Sequence, residues 1–568
     1  MPTETKYRLA DSCIVEPLVN SWFTWSYVLS PLTSSLHLLN YQLKAMEEYL
    51  KDPELHFSAA HDPALIGGPY LDIPAERAGE VRVLLESTKS NQRHNLELAE
   101  ATIEFYNRLV DEASGQSLDH FYRVLPSPLR GYVELVYDYY NRPAVRFIEG
   151  LLYASHYYDK SLQSLRAYPL KRDDTRAFFM STPRLQEEDQ IDWKVPFDDE
   201  RVDRFFALDV EPQPLTVVRD ILGLSPFDDE KLLTILSATP SVTPDKWNGA
   251  EVRVRYFGHA CVLVEWKGTS ILTDPFIGVR PLEGGVERLS YGDLPQSIDY
   301  VLVTHNHADH FVIESLLRLR HRIKCLVVPK SYGLLHGDIS LKLLAQKLRF
   351  KQVLELDALD SISIADGEIV SIPFCGEHGD LAHGKSGYIV RAGEHRMMFG
   401  ADSNCLDRML YENIRRSVGR VETVFLGTEC VGAPLSWSYG PLFPRPPHRS
   451  HDQTRRQRGC DSDGAMEIME VLGARKFYSY GMGQEPWLEH ILALGLSDDS
   501  PQVREAEVLL MKARRRNFAA AERLFGKDEF FLESVSEMGS TLPGVEVEQM
   551  ESCVLTSLND DAEDKFVF

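Results

Sequence analysis

Four residues of metal-ligating type crowd into the six-residue stretch His305-Asn306-His307-Ala308-Asp309-His310. They follow directly on Tyr300-Val301-Leu302-Val303-Thr304, a short and almost wholly apolar run that reads as a strand buried on both faces. A strand end is a rigid platform. A tight loop after it can aim the alternate side chains His305 and His307 at one metal and let Asp309 and His310, past the turn, reach a second. Surface loops rarely gather ligand types so tightly, so this stretch constrains the chain to an α/β platform holding two metals.

Later strand ends offer more ligands. The run 370–372 leads through Pro373-Phe374-Cys375-Gly376 to Glu377 and His378, either of which can supply the ligand. Asp402 follows Met397-Met398-Phe399-Gly400-Ala401, and Glu429 follows Val424-Phe425-Leu426-Gly427-Thr428. Each is beyond an apolar run, where a lone carboxylate is costly without a cation. Singly, each is an ordinary strand-end turn; with the first loop, they converge on one site.

Alternation predicts strands at 252–256, 261–266 and 270–274, with a turn at Lys267-Gly268-Thr269. Further strands are expected at 325–329, 352–356, 361–364, 370–374, 388–391 and 396–400, and a helix over 313–322. Many short strands punctuated by helices predict two sheets flanked by helices. A chain of 568 residues exceeds one core, and two domains are expected, 1–245 and 246–568. The first is expected to be mainly helical α+β, with helical spacing at 35–50 and 78–110 and acidic, Pro-bearing connections at 197–204 and 212–230. It carries no catalytic motif, which suits dimerisation or partner binding.

Residues 17–43 hold no Asp, Glu, Lys or Arg but contain Trp22, Phe23, Trp25 and Tyr27. Asn20, Asn40, Pro31, five serines and two threonines interrupt the segment, so it reads as buried or subunit-interface chain rather than a membrane span. The formal net charge of −24 argues against nucleic acid or an anionic membrane as the main partner. The first residues lack the basic-then-apolar pattern of a signal peptide, and none of the eight cysteines forms a CxxC pair. A reducing cytoplasm is therefore expected. Residues 559–568 read as a loose acidic tail.

The His-x-His-x-Asp-His pattern after a buried strand, with Asp402 after Phe399-Gly400, resembles the metallo-β-lactamase superfamily. Phe257-Gly258-His259-Ala260 and Leu272-Thr273-Asp274-Pro275-Phe276 match its opening strands, with His259 and Asp274 in structural roles. The resemblance implies an α/β fold, an αββα sandwich. Val15-Glu16-Pro17 and Trp22-Phe23-Thr24-Trp25-Ser26-Tyr27 extend the resemblance to the diiron β-hydroxylases of nonribosomal peptide biosynthesis, and it covers most of the chain. That family implies two irons held by His305, His307, Asp309, His310, Glu377 and Asp402. It implies β-hydroxylation of an aminoacyl group tethered to a nonribosomal peptide synthetase carrier domain, consuming O2 and electrons from an external donor. It also implies an N-terminal dimerising domain, hence a homodimer. Hydrolytic relatives carry more imidazoles. Here carboxylates stand in their place, and such hard anionic ligands favour oxidised iron over zinc.

Beside the metals, Glu429 is expected to ligate the second iron, hold the substrate ammonium or cap its strand. The glycine-, proline- and aromatic-rich stretch 432–447, with Trp437, Tyr439 and Phe443, is expected as a lid or pocket wall. Arg445, Arg449, Arg455, Arg456 and Arg458 form a basic stretch that can steer an acidic carrier domain, or a solvated loop. The basic run 512–516 reads as a helix face. Two other readings compete. One is a dinuclear zinc or manganese hydrolase of a lactone, phosphodiester or thioester. The other is a non-catalytic assembly partner.

Overall fold

The strand-forming segments of the C-terminal half pair into two seven-stranded mixed sheets. The first runs in the order Val353–Leu356, Ile323–Pro329, Ile298–Leu302, Thr269–Thr273, Val262–Trp266, Val252–Tyr256, Asp528–Leu532. Its first four strands are mutually parallel and the rest antiparallel. The second runs Ser361–Ile364, Gly367–Pro373, Ser386–Ala392, His395–Phe399, Thr423–Leu426, Lys476–Ser479, Ala520–Arg523. There the order is reversed, with antiparallel pairs first and parallel pairs from His395–Phe399 onward. This is a computed structural model, and it describes residues 4–240, 243–333, 338–376 and 383–532.

The inner faces of the sheets meet through Val254, Val264, Tyr388, Val390, Phe399 and Phe425. Helices Arg408–Val418, Ser462–Leu472 and Pro501–Arg515 cover the outer face of the second sheet through a separate apolar cluster. The basic run expected on a helix face lies at the end of the last of these, where Lys512 pairs with Asp463 and Arg516 with Glu470. Over the first sheet, Phe311, Leu316 and Leu344 join one continuous core with Phe23, Tyr27, Phe105 and Phe206 of the N-terminal region. The layering is an αββα sandwich with the N-terminal region built onto one outer face.

That region holds an antiparallel sheet ordered Trp22–Phe23, Cys13–Val19, Gln163–Pro169, Ile191–Lys194. The helix expected at 35–50 starts earlier, at Pro31, a residue whose missing N–H costs nothing in a first turn. It then passes through a π turn at Leu38–Gln42. The helical spacing at 78–110 resolves into Ala78–Asn91 and Arg93–Glu112, broken at Gln92. The acidic connections are in part helical. Asp199 accepts from the backbone N–H of Arg201 to start Glu200–Phe206, and Gly223, at φ 69°, ends Leu215–Leu222. The uncharged segment 17–43 is buried by this chain itself, with Trp22, Phe23, Trp25 and Tyr27 all in the core. Residues 559–568 lie outside the described residues.

Candidate metal centre

Parallel strands Thr269–Thr273 and Ile298–Leu302 lie side by side, so the loops leaving their C-terminal ends emerge together. One loop carries Asp274, the other the histidines. Asp274 sits at φ 30° and its two oxygens are fully used. Oδ1 accepts from the Thr304 backbone N–H at 2.7 Å. Oδ2 accepts from the Thr304 hydroxyl at 2.7 Å and from His310 Nδ1 at 2.9 Å. The hydroxyl proton of Thr304 is thereby committed to Asp274, because a carboxylate cannot donate. Its oxygen, 3.0 Å from His305 Nδ1, must then accept from that nitrogen.

Both imidazoles are thus held with a proton on Nδ1, which leaves Nε2 as the ligating atom. Nε2 of His310 lies 3.2 Å from Oδ2 of Asp402 and 3.4 Å from Oδ2 of Asp309. Nε2 of His305 lies 3.5 Å from the same Asp402 oxygen. Lone pairs facing carboxylates repel unless a proton or a metal ion stands between them. Burial opposes a charged imidazole, but Asp309, Asp402 and Asp274 together raise His310 well above its ordinary value. Asp309 is likewise held well below the carboxylate range, against its burial, by His310 and by His259.

Two donor groups converge here, His305 with His310 and Asp402, and His259 with Asp309 and His310, the donor atoms of each lying within 4.8 Å of one another. His310 and the carboxylates between the groups suit two cations sharing one site, so the donor set fits a metal pair. His259, at φ 51°, directs Nε2 to Oδ2 of Asp309 at 3.0 Å. Asp402 follows Ala401, which is at φ 45°, beyond the strand His395–Phe399. Three non-glycine residues in left-handed conformation around one point mark a backbone bent to aim side chains.

His307 is placed differently. Its ring is 4.7 Å from that of His305, yet its Nε2 hydrogen-bonds the Tyr439 hydroxyl at 2.6 Å. Tyr439 itself packs edge-on against Tyr27 at 5.9 Å. The loop is clamped from the N-terminal region, where the Ser26 hydroxyl donates to the Asn306 carbonyl at 2.9 Å and the Asn306 amide donates to the Tyr27 hydroxyl at 3.3 Å. Glu377 and His378 lie outside the described residues. Glu429 lines a cavity of about 300 Å³ that also touches His307, Asp309 and Trp437. Burial, then repulsion by Asp402 and Asp309, raises its carboxyl well above the ordinary value. Phe443 is packed against the core rather than in the cavity lining. Of the basic stretch, Arg456 lines the cavity, Arg445 pairs with Asp111 at 2.6 Å, and residues 449–454 form a helical turn.

The contributions of Asp274 and His259 to orientation had a sequence signal in the resemblance of their segments to the metallo-β-lactamase superfamily. A second group had none. Glu16, Arg176, Arg184 and Glu314 form a buried ionic cluster, with Arg176 bridging Glu16 at 2.8 Å and Glu314 at 2.6 Å. It joins the N-terminal sheet to the helix Ile313–Leu319 that follows the ligand loop.

Comparison with known proteins places this geometry. Residues 8–240 match the diiron non-heme beta-hydroxylase N-terminal domain, and residues 253–415 match a beta-lactamase superfamily domain. A 3-hydroxylase of Streptomyces venezuelae, acting on 4-amino-L-phenylalanyl carried by the CmlP peptidyl carrier protein, is 35% identical over 526 residues. That alignment covers 91% of this chain and 98% of the relative. The crystal structure of CmlA, a diiron beta-hydroxylase from Streptomyces venezuelae, superposes with a TM-score of 0.86 at 34% identity, covering 93% of this chain and 100% of that one. A metal-dependent hydrolase of Flavobacterium johnsoniae is 25% identical over 166 residues, 27% of this chain and 63% of that protein. The long relative matches both halves of the chain, and the chain belongs to the diiron non-heme β-hydroxylase family.

Proposed function

We propose that this protein β-hydroxylates an aminoacyl group tethered to a nonribosomal peptide synthetase carrier domain. The observation that carries the reading is the cavity of about 300 Å³ lined by His307, Asp309 and Glu429, beside the His305–His310–Asp402 cluster. A tether can enter such a cavity while its carrier stays outside. The proposed iron ligands are His305, His307, Asp309, His310 and Asp402, with Glu377 completing the set. His307 would join them in place of its hydrogen bond to the Tyr439 hydroxyl.

Bound there, the iron pair supplies O2 activation and transfer of one oxygen atom to a C–H bond, with electrons from an external donor. The chain's own residues do the rest. Asp274 and Thr304 fix the tautomers of His305 and His310. Trp25, Phe179 and Trp437 wall the cavity and exclude water from the reacting carbon. Glu429, beside the ligands, is proposed to orient the substrate ammonium, whose positive charge would offset the burial and the repulsion by Asp402 and Asp309 that raise its carboxyl. Arg449, Arg455 and Arg458 are exposed near Arg456 of the cavity lining, which supports docking of an acidic carrier surface.

The region 1–245 is proposed to mediate homodimerisation and 246–568 to hold the catalytic centre. A cytoplasmic location is proposed on the seven described cysteines, all free, and no helix among the described residues is long and apolar enough to cross a membrane. The test is intact-mass analysis of aminoacyl-loaded carrier domains after incubation with iron-loaded, reduced protein and O2. A gain of one oxygen on the aminoacyl group is expected. Release of the amino acid without oxygen gain would instead indicate hydrolysis.

A further inference from the structure

The cavity has two kinds of wall. Its metal end carries His307, Asp309 and Glu429, while the rest of the lining is mostly apolar. Trp25, Phe179 and Met180 come from the N-terminal region, and Trp437, Ile491 and Leu492 from the C-terminal one. These walls are fixed against each other. The Phe179 backbone N–H donates to the His490 carbonyl at 2.9 Å, Phe178 stacks on Trp437 at 6.0 Å, and Trp25 meets Phe179 edge-on at 5.5 Å. Trp437 Nε1 donates to the Gly67 carbonyl at 3.0 Å, which pins the indole.

The polar groups of the lining are largely spent within the wall. The Ser438 hydroxyl donates to Gln457 Oε1 at 3.1 Å, and Gln457 Nε2 donates to the Pro434 and Leu435 carbonyls at 3.3 and 3.2 Å. Arg456 Nε donates to the Gly432 carbonyl at 2.6 Å. Beyond the metal end, Arg456 is the one charged residue among the described lining residues. A lysine or arginine side chain entering here would lose its hydration and meet a like charge. An aspartate or glutamate would find a guanidinium already engaged at Nε. A leucine or phenylalanine side chain would be matched by the wall. The volume is at the small end of ligand cavities, enough for one amino acid and the end of its tether.

We infer that this cavity selects an aminoacyl group with a large, uncharged, apolar side chain, aliphatic or aromatic. Met180, Trp437 and Leu492 act as specificity-determining residues. The inference rests on the proposed carrier-tethered reaction but is tested apart from it. Binding of aminoacyl-pantetheine amides bearing Leu, Phe, Lys or Asp side chains, and of pantetheine alone, is measured by calorimetry on metal-free and iron-loaded protein.

The Leu and Phe amides are expected to bind at least tenfold more tightly than the Lys and Asp amides. Met180→Ala is expected to weaken the Leu and Phe amides several-fold while leaving pantetheine unchanged. Leu492→Ala provides the same comparison if the first variant does not fold. Lys or Asp amides binding as tightly as Leu and Phe would overturn the assignment, as would equal weakening of all ligands, pantetheine included. Side-chain preference in binding without oxygen gain on any loaded carrier would overturn the reaction and leave the pocket assignment standing.

Discussion

At the scale of single residues, the centre depends on which atom of each histidine is left to bind. Asp274 decides this for His310 directly and for His305 through the hydroxyl of Thr304. Asp274→Asn keeps the shape and tolerates the left-handed backbone, since asparagine adopts it readily. It replaces one acceptor oxygen by a donor, so either the Thr304 backbone N–H or the Thr304 hydroxyl and His310 together lose their acceptor. Iron affinity is expected to fall about 10- to 100-fold with little change in melting temperature. Titration of the metal-free variant with ferrous iron under anaerobic conditions measures this, and an unchanged affinity would show that Asp274 does not tune the site. The resemblance to the metallo-β-lactamase superfamily marked Asp274 as structural. That its two oxygens serve both histidines was invisible, because Thr304 and Asp274 are thirty residues apart in the chain.

At the scale of elements, the wall of the cavity hangs on a two-stranded ladder, Ala433–Pro434 against Arg456–Gln457. Gly432 precedes it, and a Cβ added there would fall 1.7 Å from the Gln457 carbonyl oxygen. That neighbour is backbone held in the ladder and cannot turn aside. Gly432→Ala must therefore open the ladder, and a loss of about 1–3 kcal/mol is expected from such overpacking. The wall bearing Trp437, Ser438 and Gln457 would shift with it. Thermal unfolding should show the lower stability, and a raised KM with a smaller change in kcat should show the displaced wall. A variant as stable as wild type would mean that the ladder yields at no cost. The stretch 432–447 read as a pocket wall from its composition, but the partner strand that makes Gly432 necessary is local to neither motif nor periodicity.

At the scale of the whole molecule, the N-terminal region and the ligand-bearing sheet share one apolar core and one buried ionic cluster. Burial alone would raise the Glu16 carboxyl, but Arg184 and Arg176 outweigh it and hold Glu16 well below the ordinary range. A carboxylate with a depressed folded-state pKa stabilises the fold above its unfolded-state value, and that contribution is lost as pH falls below it. Wild type should therefore lose stability progressively below the ordinary glutamate range. Glu314, on the same Arg176, is shifted upward by burial and further by Glu16, so Glu16→Gln acts on both carboxylates of the cluster. Glu16→Gln leaves two arginines short of a partner and is expected to cost about 3–5 kcal/mol near neutral pH, with a shallower loss on acidification. Melting temperatures of both proteins from neutral pH downward test this, and parallel curves would refute it.

The sequence by itself determined the strand platform, the ligand loop and the class of site. Buried strands write themselves as apolar runs, and ligands placed at their ends remain contiguous with them, as His305 to His310 do with Val301 to Val303. It also marked residues 17–43 as buried, since a charge-free aromatic segment has few other places to go. Only the tertiary structure decided that Ser26 and Tyr27 of that segment grip the ligand loop, that His305 shares Asp402 with His310, and that His307 turns to Tyr439. These are contacts between residues up to hundreds of positions apart. No local pattern encodes them, because their geometry is fixed by how two sheets and an added N-terminal layer pack against one another.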